Sequence, residues 1–272
     1  SKTSLTLENK DLGRVFYENL VNQSSTKLID FENFDNNSFH VVTELTYKKD
    51  DEEFRPDITI LINGMPLIFI EVKKPNNREG VLAEQKRLKT RFKNNKFIKF
   101  INLTQYMIFS NNMEYDDESN TTLEGAFYAT PSYKDPVFNY FREEHDFGEE
   151  VNFLSKLTED QERFILKDNN LLSISDSDEY KTNKNFNTPT NRICTSLLKK
   201  DRLSFILEFG LAYSENKYII TKQIMRYPQL FATKAIENIL DQNKRKGIIW
   251  HTQGSGKTAL AFYSVKHLTK YF

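Results

Sequence analysis

Apolar residues open this chain at helical spacing. Leu12, Val15, Phe16, Leu20 and Val21 fall on one side of a 3.6-residue repeat and predict an amphipathic helix. The pattern then changes to that of strands. Positions 39–47 are rich in β-branched and aromatic residues, and 58–62 and 67–72 are short, almost unbroken apolar runs. Asn63-Gly64 between those two runs is a hairpin signature. Runs that are apolar at successive positions, rather than alternate ones, predict strands covered on both faces. After Pro75 the spacing returns to helical over 79–93, and 105–110 predicts another strand. The first part of the chain therefore reads helix, three strands, helix, strand.

Beyond this the pattern weakens. Positions 111–180 are acidic, contain Pro131 and Pro136, and read as an irregular connecting region with a helix over 159–167. The Asn-rich stretch 181–191 predicts a loop. Helices are expected over 192–199, 202–209 and 230–240. Gly247-Ile248-Ile249-Trp250 predicts a short buried strand that leads through a loop into an apolar-periodic helix ending near Lys270. No internal repeat is visible.

With 272 residues, 38% of them hydrophobic and 13% aromatic, the chain can bury a core of one large or two smaller domains. The single cysteine, Cys194, excludes an internal disulfide framework and fits a reducing compartment, so a cytoplasmic location is expected. The sequence has no apolar run of membrane-spanning length and no leader, so neither a span nor a signal peptide is expected. The start at Ser1 suggests processing or a tag.

A net charge of zero conceals three unlike stretches. Residues 1–110 carry 17 basic against 15 acidic side chains, 111–180 carry 5 against 18, and 181–272 carry 16 against 5. Between Arg78 and Lys99 there are eight cations and two acids, Glu79 and Glu84. Such a helix either tracks phosphates or is a solvated surface, and Gln85, Lys86, Lys89 and Arg91 are its candidate DNA contacts.

Chemistry enters with Pro56-Asp57, thirteen intervening residues, and Glu71-Val72-Lys73. Side chains alternate along a strand, so Glu71 and Lys73 share a face that Val72 does not. Two carboxylates can hold Mg²⁺ against a phosphodiester while a lysine supports the nucleophile or the developing charge. Asp57, Glu71 and Lys73 are the candidate catalytic groups, with Asp57 and Glu71 as metal ligands. The plain alternative is an exposed charge pair at a strand end. Register decides between them. A strict two-residue turn at Asn63-Gly64 pairs Asp57 with Ile70 and sends the carboxylates to opposite faces, so a three-residue loop or a bulge beside Pro56 is expected.

The second constellation is His251-Thr252-Gln253-Gly254-Ser255-Gly256-Lys257-Thr258. Its glycines let the backbone wrap a phosphate, Lys257 reaches the outer phosphates, and Thr258 can ligate Mg²⁺. His251 stands where the full phosphate-loop pattern has glycine, a departure common in helicase-type motors. Thr252, Gly254, Ser255, Gly256, Lys257 and Thr258 are candidate ATP-site residues. Gln229, 28 positions before Lys257, either reads an adenine edge or bonds only local backbone at a helix start.

Together these stretches resemble the restriction (R) subunit of type I restriction-modification enzymes. They are Arg55-Pro56-Asp57, Ile62 to Leu67, Ile70 to Pro75, Arg226-Tyr227-Pro228-Gln229 and Ile249 to Thr258. The resemblance implies an α/β restriction-endonuclease-like domain with a mixed sheet flanked by helices over 1–205. A helical segment and the start of a RecA-like superfamily 2 motor lobe would occupy 206–272. It also implies cleavage of double-stranded DNA with Mg²⁺, ATP as the motor's cofactor, and methyltransferase and specificity subunits as partners. Relatives carry a glutamine and, four residues later, a tyrosine after the lysine strand. Here Gln85 matches, and Lys89 replaces the tyrosine. The chain ends 14 residues beyond Thr258, so by itself it is not expected to hydrolyse ATP. Two rivals stand beside this reading: the nuclease domain of a type III or repair nuclease-helicase fusion, and a DNA-binding or subunit-assembly module without cleavage.

Overall fold

The structure, a computed structural model, describes residues 11–22, 27–74, 80–115, 125–131, 136–143, 156–216 and 219–271. Helix α1 (Asp11–Val21) is followed by β1 (Phe39–Thr43), β2 (Tyr47–Lys49), β3 (Glu52–Phe54), β4 (Ile58–Ile62) and β5 (Met65–Val72). Helices α2 (Gly80–Lys93) and α3 (Ile98–Leu103) then lead to β6 (Tyr106–Ser110), β7 (Ala126–Ala129) and β8 (Asn139–Tyr140). Four helices follow: α4 (Glu159–Asp168), α5 (Asp178–Asn183), α6 (Pro189–Leu198) and α7 (Lys200–Phe209). The hairpin β9 (Leu211–Asn216) and β10 (Ile219–Ile224), then α8 (Tyr227–Asp241) and α9 (Lys257–Tyr271), complete the described elements.

Six strands form one mixed sheet in the order β1-β4-β5-β6-β7-β8. Only β5 and β6 run parallel, and every other neighbouring pair in it is antiparallel. A parallel neighbour requires a crossover, and α2 with α3 supplies it. The chain is thus α/β, with helices flanking a mixed sheet. The expected strand over 39–47 divides in two. Glu44 turns to φ 53°, after which Tyr47 begins a separate ribbon with β3.

Alternation in the central strands builds two cores. One face presents Ile60, Ile62, Ile68, Ile70, Tyr106, Ile108 and Tyr128 to α1, α6 and α7. The other presents Phe69, Met107, Phe109 and Phe127 to Leu88 and Phe92 of α2 and to Phe97, Phe100 and Ile101. On that second face Phe54 meets Phe69 and Phe100 edge-on, with ring centres 5.5 and 4.9 Å apart. Burial of each such ring contributes about 2–3 kcal/mol before entropy is counted.

The expectation that 111–180 is irregular outside its one helix is corrected where the structure describes it. β7 is buried at all four positions and lies between β6 and β8. A four-residue run, Ala126-Phe127-Tyr128-Ala129, is too short for its periodicity to stand out from an acidic neighbourhood. Glu143, from the same acidic stretch, is buried in an ion pair with Arg202 of α7. Positions 116–124, 132–135 and 144–155 lie outside the described residues. The expected loop over 181–191 contains the end of α5 and the start of α6, where Pro189 takes a first-turn position.

The C-terminal elements pack onto the same first core. Phe209, Leu211, Ile224, Met225, Leu230, Phe231 and Tyr263 join Tyr17, Leu20 and the sheet residues in one cluster. Position 205, the expected boundary between domains, lies inside α7. Two further ties cross this region. Tyr17 Oη donates to the carbonyl of Glu208, at 3.0 Å. Fully buried Lys222 donates to the carbonyls of Ile101 and Thr104, at 3.2 and 2.5 Å, at the end of α3. Burial pulls the Lys222 pKa down to about 7.

The strand expected over 247–250 is not formed. Ile248 is 91% and Trp250 89% exposed, and none of the described strands pairs with them. An apolar run becomes a strand only when neighbours take up its backbone groups.

Candidate active site

The β4–β5 hairpin turns through Asn63 and Gly64, with φ of 50° and 77°. Both residues are left-handed, as a two-residue turn between twisted strands requires. Asn63 also anchors the turn. Its side chain accepts from the Ser38 amide and donates to Leu28 O and Asn37 Oδ1, each at 2.8 Å.

From this turn Ile62 pairs with Met65 and Leu61 with Pro66, but Ile60 pairs with Ile68. Leu67 is therefore an extra residue, a β-bulge. Leu67 and the next residue, Ile68, consequently both enter the same core. The Leu67 carbonyl is satisfied by the Gln105 amide at 2.7 Å. Thr59 then faces Phe69 and Ile58 faces Ile70, which brings Asp57 opposite Glu71. The carboxylates share a face through a bulge at Leu67 rather than beside Pro56.

Asp57 and Glu71 meet at the end of the hairpin. Asp57 Oδ2 accepts the Val72 amide at 2.8 Å, which locks the aspartate against the strand that carries the glutamate. Glu71 is only 3% exposed, and its Oε1 has no hydrogen-bond partner. Burial, reinforced by the charge of Asp57, pushes the Glu71 pKa up to about 7, against the opposing pull of Lys73. Lys73 Nζ lies 3.6 Å from Glu71 Oε2, so the three groups converge.

Helix α2 contributes a residue that sequence reasoning missed. Glu84 is 1% exposed, and its Oε2 lies 3.6 Å from Lys73 Nζ and 3.1 Å from Arg87. These are ion-pair distances without hydrogen-bond alignment, and neither Glu84 oxygen gains a hydrogen bond. The signal was present in the spacing, because 84, 88 and 92 form one helix face and Leu88 and Phe92 are core residues. Of the candidate DNA contacts, Arg91 lies 4.5 Å over the Phe54 ring and interacts electrostatically with Glu71 and Glu84. Lys86 is exposed, Lys89 is partly exposed, and Gln85 lines a cleft with Tyr115, Tyr140, Arg142 and Tyr227.

An oxygen-rich pair of carboxylates with an unsatisfied buried oxygen suits a hard divalent cation. Among the described residues no group of three or more His, Cys, Asp or Glu side chains is arranged to hold a metal. A cation at Asp57 and Glu71 would thus keep further positions for water and phosphate, as Mg²⁺ commonly does.

The second constellation is built from other elements, α8, α9 and the loop between them. Thr252 to Gly256 form the loop that precedes α9, which begins at Lys257. Gly254 and Gly256 have φ of 78° and 85°, so glycine is required by backbone conformation at both. Lys257 Nζ donates to the carbonyls of His251 and Thr252, Thr258 is exposed, and Ser255 Oγ is buried without a partner. Gln229 engages both ends of its amide. Its oxygen accepts from the Arg226 amide at 2.8 Å, and its nitrogen donates to Gly256 O at 3.2 Å. It therefore caps α8 and ties that helix to the loop, where a Cβ on Gly256 would stand 2.6 Å from its nitrogen. Arg226, Tyr227 and Pro228 share an open cleft with residues 250–255.

Residues 4–121 match the profile of the type I restriction enzyme R protein N terminus, and residues 228–271 match a SWI2/SNF2 ATPase profile. Two inferred type I restriction enzyme endonuclease subunits of Methanocaldococcus jannaschii are similar. MjaVIIP is 28% identical over 257 residues, 90% of this chain, and MjaIXP is 26% identical over 291, 98% of this chain. The HindI endonuclease subunit of Haemophilus influenzae is 23% identical over 256 residues, 90% of this chain. The chain spans 20%, 25% and 20% of the lengths of these three relatives. Among the described residues no helix is long and apolar enough to cross a membrane. The chain is thus similar to type I restriction endonuclease subunits over most of its length, and its residues 4–121 carry the match to the type I restriction enzyme R protein N terminus.

Proposed function

We propose that the hairpin site is the nuclease centre of an ATP-dependent, DNA-translocating type I restriction subunit, cutting double-stranded DNA with a divalent cation. The observation that carries this reading is the bulge at Leu67, because it brings two distant carboxylates and Lys73 together at one end of the hairpin. Asp57 and Glu71 would hold Mg²⁺, with Asp57 fixed in place by its bond to the Val72 amide. The cation would supply Lewis-acid polarisation of the scissile phosphate. Lys73, poised beside Glu71, would direct its ammonium at the charge that develops on that phosphate. Arg91 and Lys89 of α2 would meet the flanking backbone of the duplex, with Gln85 and Lys86 beside them.

The loop from Thr252 to Thr258, with Gln229 behind it, would bind ATP and Mg²⁺ in the intact protein. Support comes from the left-handed glycines, the orphaned Ser255 hydroxyl and the SWI2/SNF2 match over 228–271. Methyltransferase and specificity subunits would supply target recognition.

A crystal soaked in Mn²⁺ tests the metal assignment. Anomalous density between Asp57 and Glu71 is expected. An empty pocket with the carboxylates turned apart would leave a DNA-binding or assembly module instead.

A further inference from the structure

Glu84 sits on the buried face of α2, and its burial has no hydrogen-bond return. An unneutralised carboxylate in such a place is unfavourable, so its charge must be compensated by nearby cations. Arg87 provides part of this from the exposed side of the helix. Arg91 adds a longer-range contribution, and Lys73 stands 3.6 Å from Glu84 and 3.6 Å from Glu71. The lysine is therefore shared between Glu71 of the hairpin and Glu84 of α2.

That sharing has a consequence when a divalent ion arrives. A doubly charged ion beside Glu71 repels the ammonium at close range and competes with it for the same carboxylate. With no second anchor, Lys73 would rest on Glu71 alone and oppose the ion there. We propose that Glu84 is a positioning residue that retains Lys73 in the pocket while Glu71 is engaged by a divalent cation. This rests on the nuclease reading above and assigns Glu84 no contact with DNA.

A thermodynamic cycle on the intact protein tests it, with Mn²⁺ binding followed by electron paramagnetic resonance in the absence of DNA and ATP. The hairpin-site signal is defined as the part lost in Asp57→Asn. Glu84→Gln should weaken Mn²⁺ binding about three- to tenfold, because Lys73 then rests wholly on Glu71. In a Lys73→Met background the same change should alter affinity less than about twofold, since the competing ammonium is gone. Glu84→Asp, which keeps the charge but withdraws it from Lys73, serves the same comparison if the glutamine variant does not fold. Equal Mn²⁺ affinity in Glu84→Gln and parent would overturn the proposal. So would an equal loss with and without Lys73, which would reduce Glu84 to background charge. A parent protein that binds no Mn²⁺ at this site removes the nuclease reading along with the role of Glu84, whereas a flat result in a Mn²⁺-binding parent removes only the latter.

Discussion

The electrostatics of Glu71 lead directly to a measurable pH dependence. Its pKa is raised to about 7 by burial and by Asp57, above the ordinary carboxylate value near 4.5. The folded state therefore holds the proton more tightly than the unfolded chain does. This contribution is fully present below pH ~4.5 and is lost as pH rises through 7. In cation-free protein, Glu71→Gln should accordingly be more stable than the parent at pH 8, by at most about 3 kcal/mol, and nearly equal to it at pH 4.5. Thermal unfolding at the two pH values checks this. A variant that loses stability equally at both would show that Glu71 is satisfied by contacts unrelated to its charge. The residues Asp57, Glu71 and Lys73 were legible in sequence because strand alternation and spacing fix their types. Glu84 was not, because in a stretch with eight cations its charge reads as surface until Leu88 and Phe92 show which side of α2 is buried.

At the scale of elements, the hairpin carries the site, and its turn can be tested separately from its chemistry. Gly64 has φ 77°, and nothing lies within 4 Å of where a Cβ would stand, so a side chain there meets backbone strain and no clash. Gly64→Ala should destabilise the protein by about 1 kcal/mol, read from chemical denaturation. A neutral result would mean that Gly64 does not hold the left-handed conformation described. The apolar runs located β4 and β5 in the sequence, because Asn63-Gly64 punctuates them. They could not set the register, since Ile60, Leu61, Leu67 and Ile68 are interchangeable as apolar residues and only packing distinguishes the bulge. Helices α4 and α8 were legible over 159–167 and 230–240. The β9–β10 hairpin was missed because Ser214, Glu215, Thr221, Lys222 and Gln223 make it read as polar, although Lys222 is buried against α3. The reverse failure occurred at Ile248-Ile249-Trp250, where an apolar run lacks strand neighbours among the described residues.

On the scale of the whole molecule, the mixed sheet and the loop before α9 are linked by shared packing. α7, the β9–β10 hairpin and α8 join the first core, and Lys222 and Tyr17 stitch later elements to earlier ones. The two proposed sites nonetheless use separate residues, which makes them separable by mutation. Lys73 touches Glu71 and Glu84, whereas Lys257 touches only the carbonyls of its own loop in the contacts described. The most direct test is DNA cleavage and ATP hydrolysis measured side by side on the intact restriction complex carrying Lys73→Ala. The account predicts loss of double-strand cleavage by at least about a hundredfold while DNA-stimulated ATP hydrolysis continues at the parental rate. Cleavage at the parental rate would contradict it and remove Lys73, and with it the shared pocket, from the mechanism.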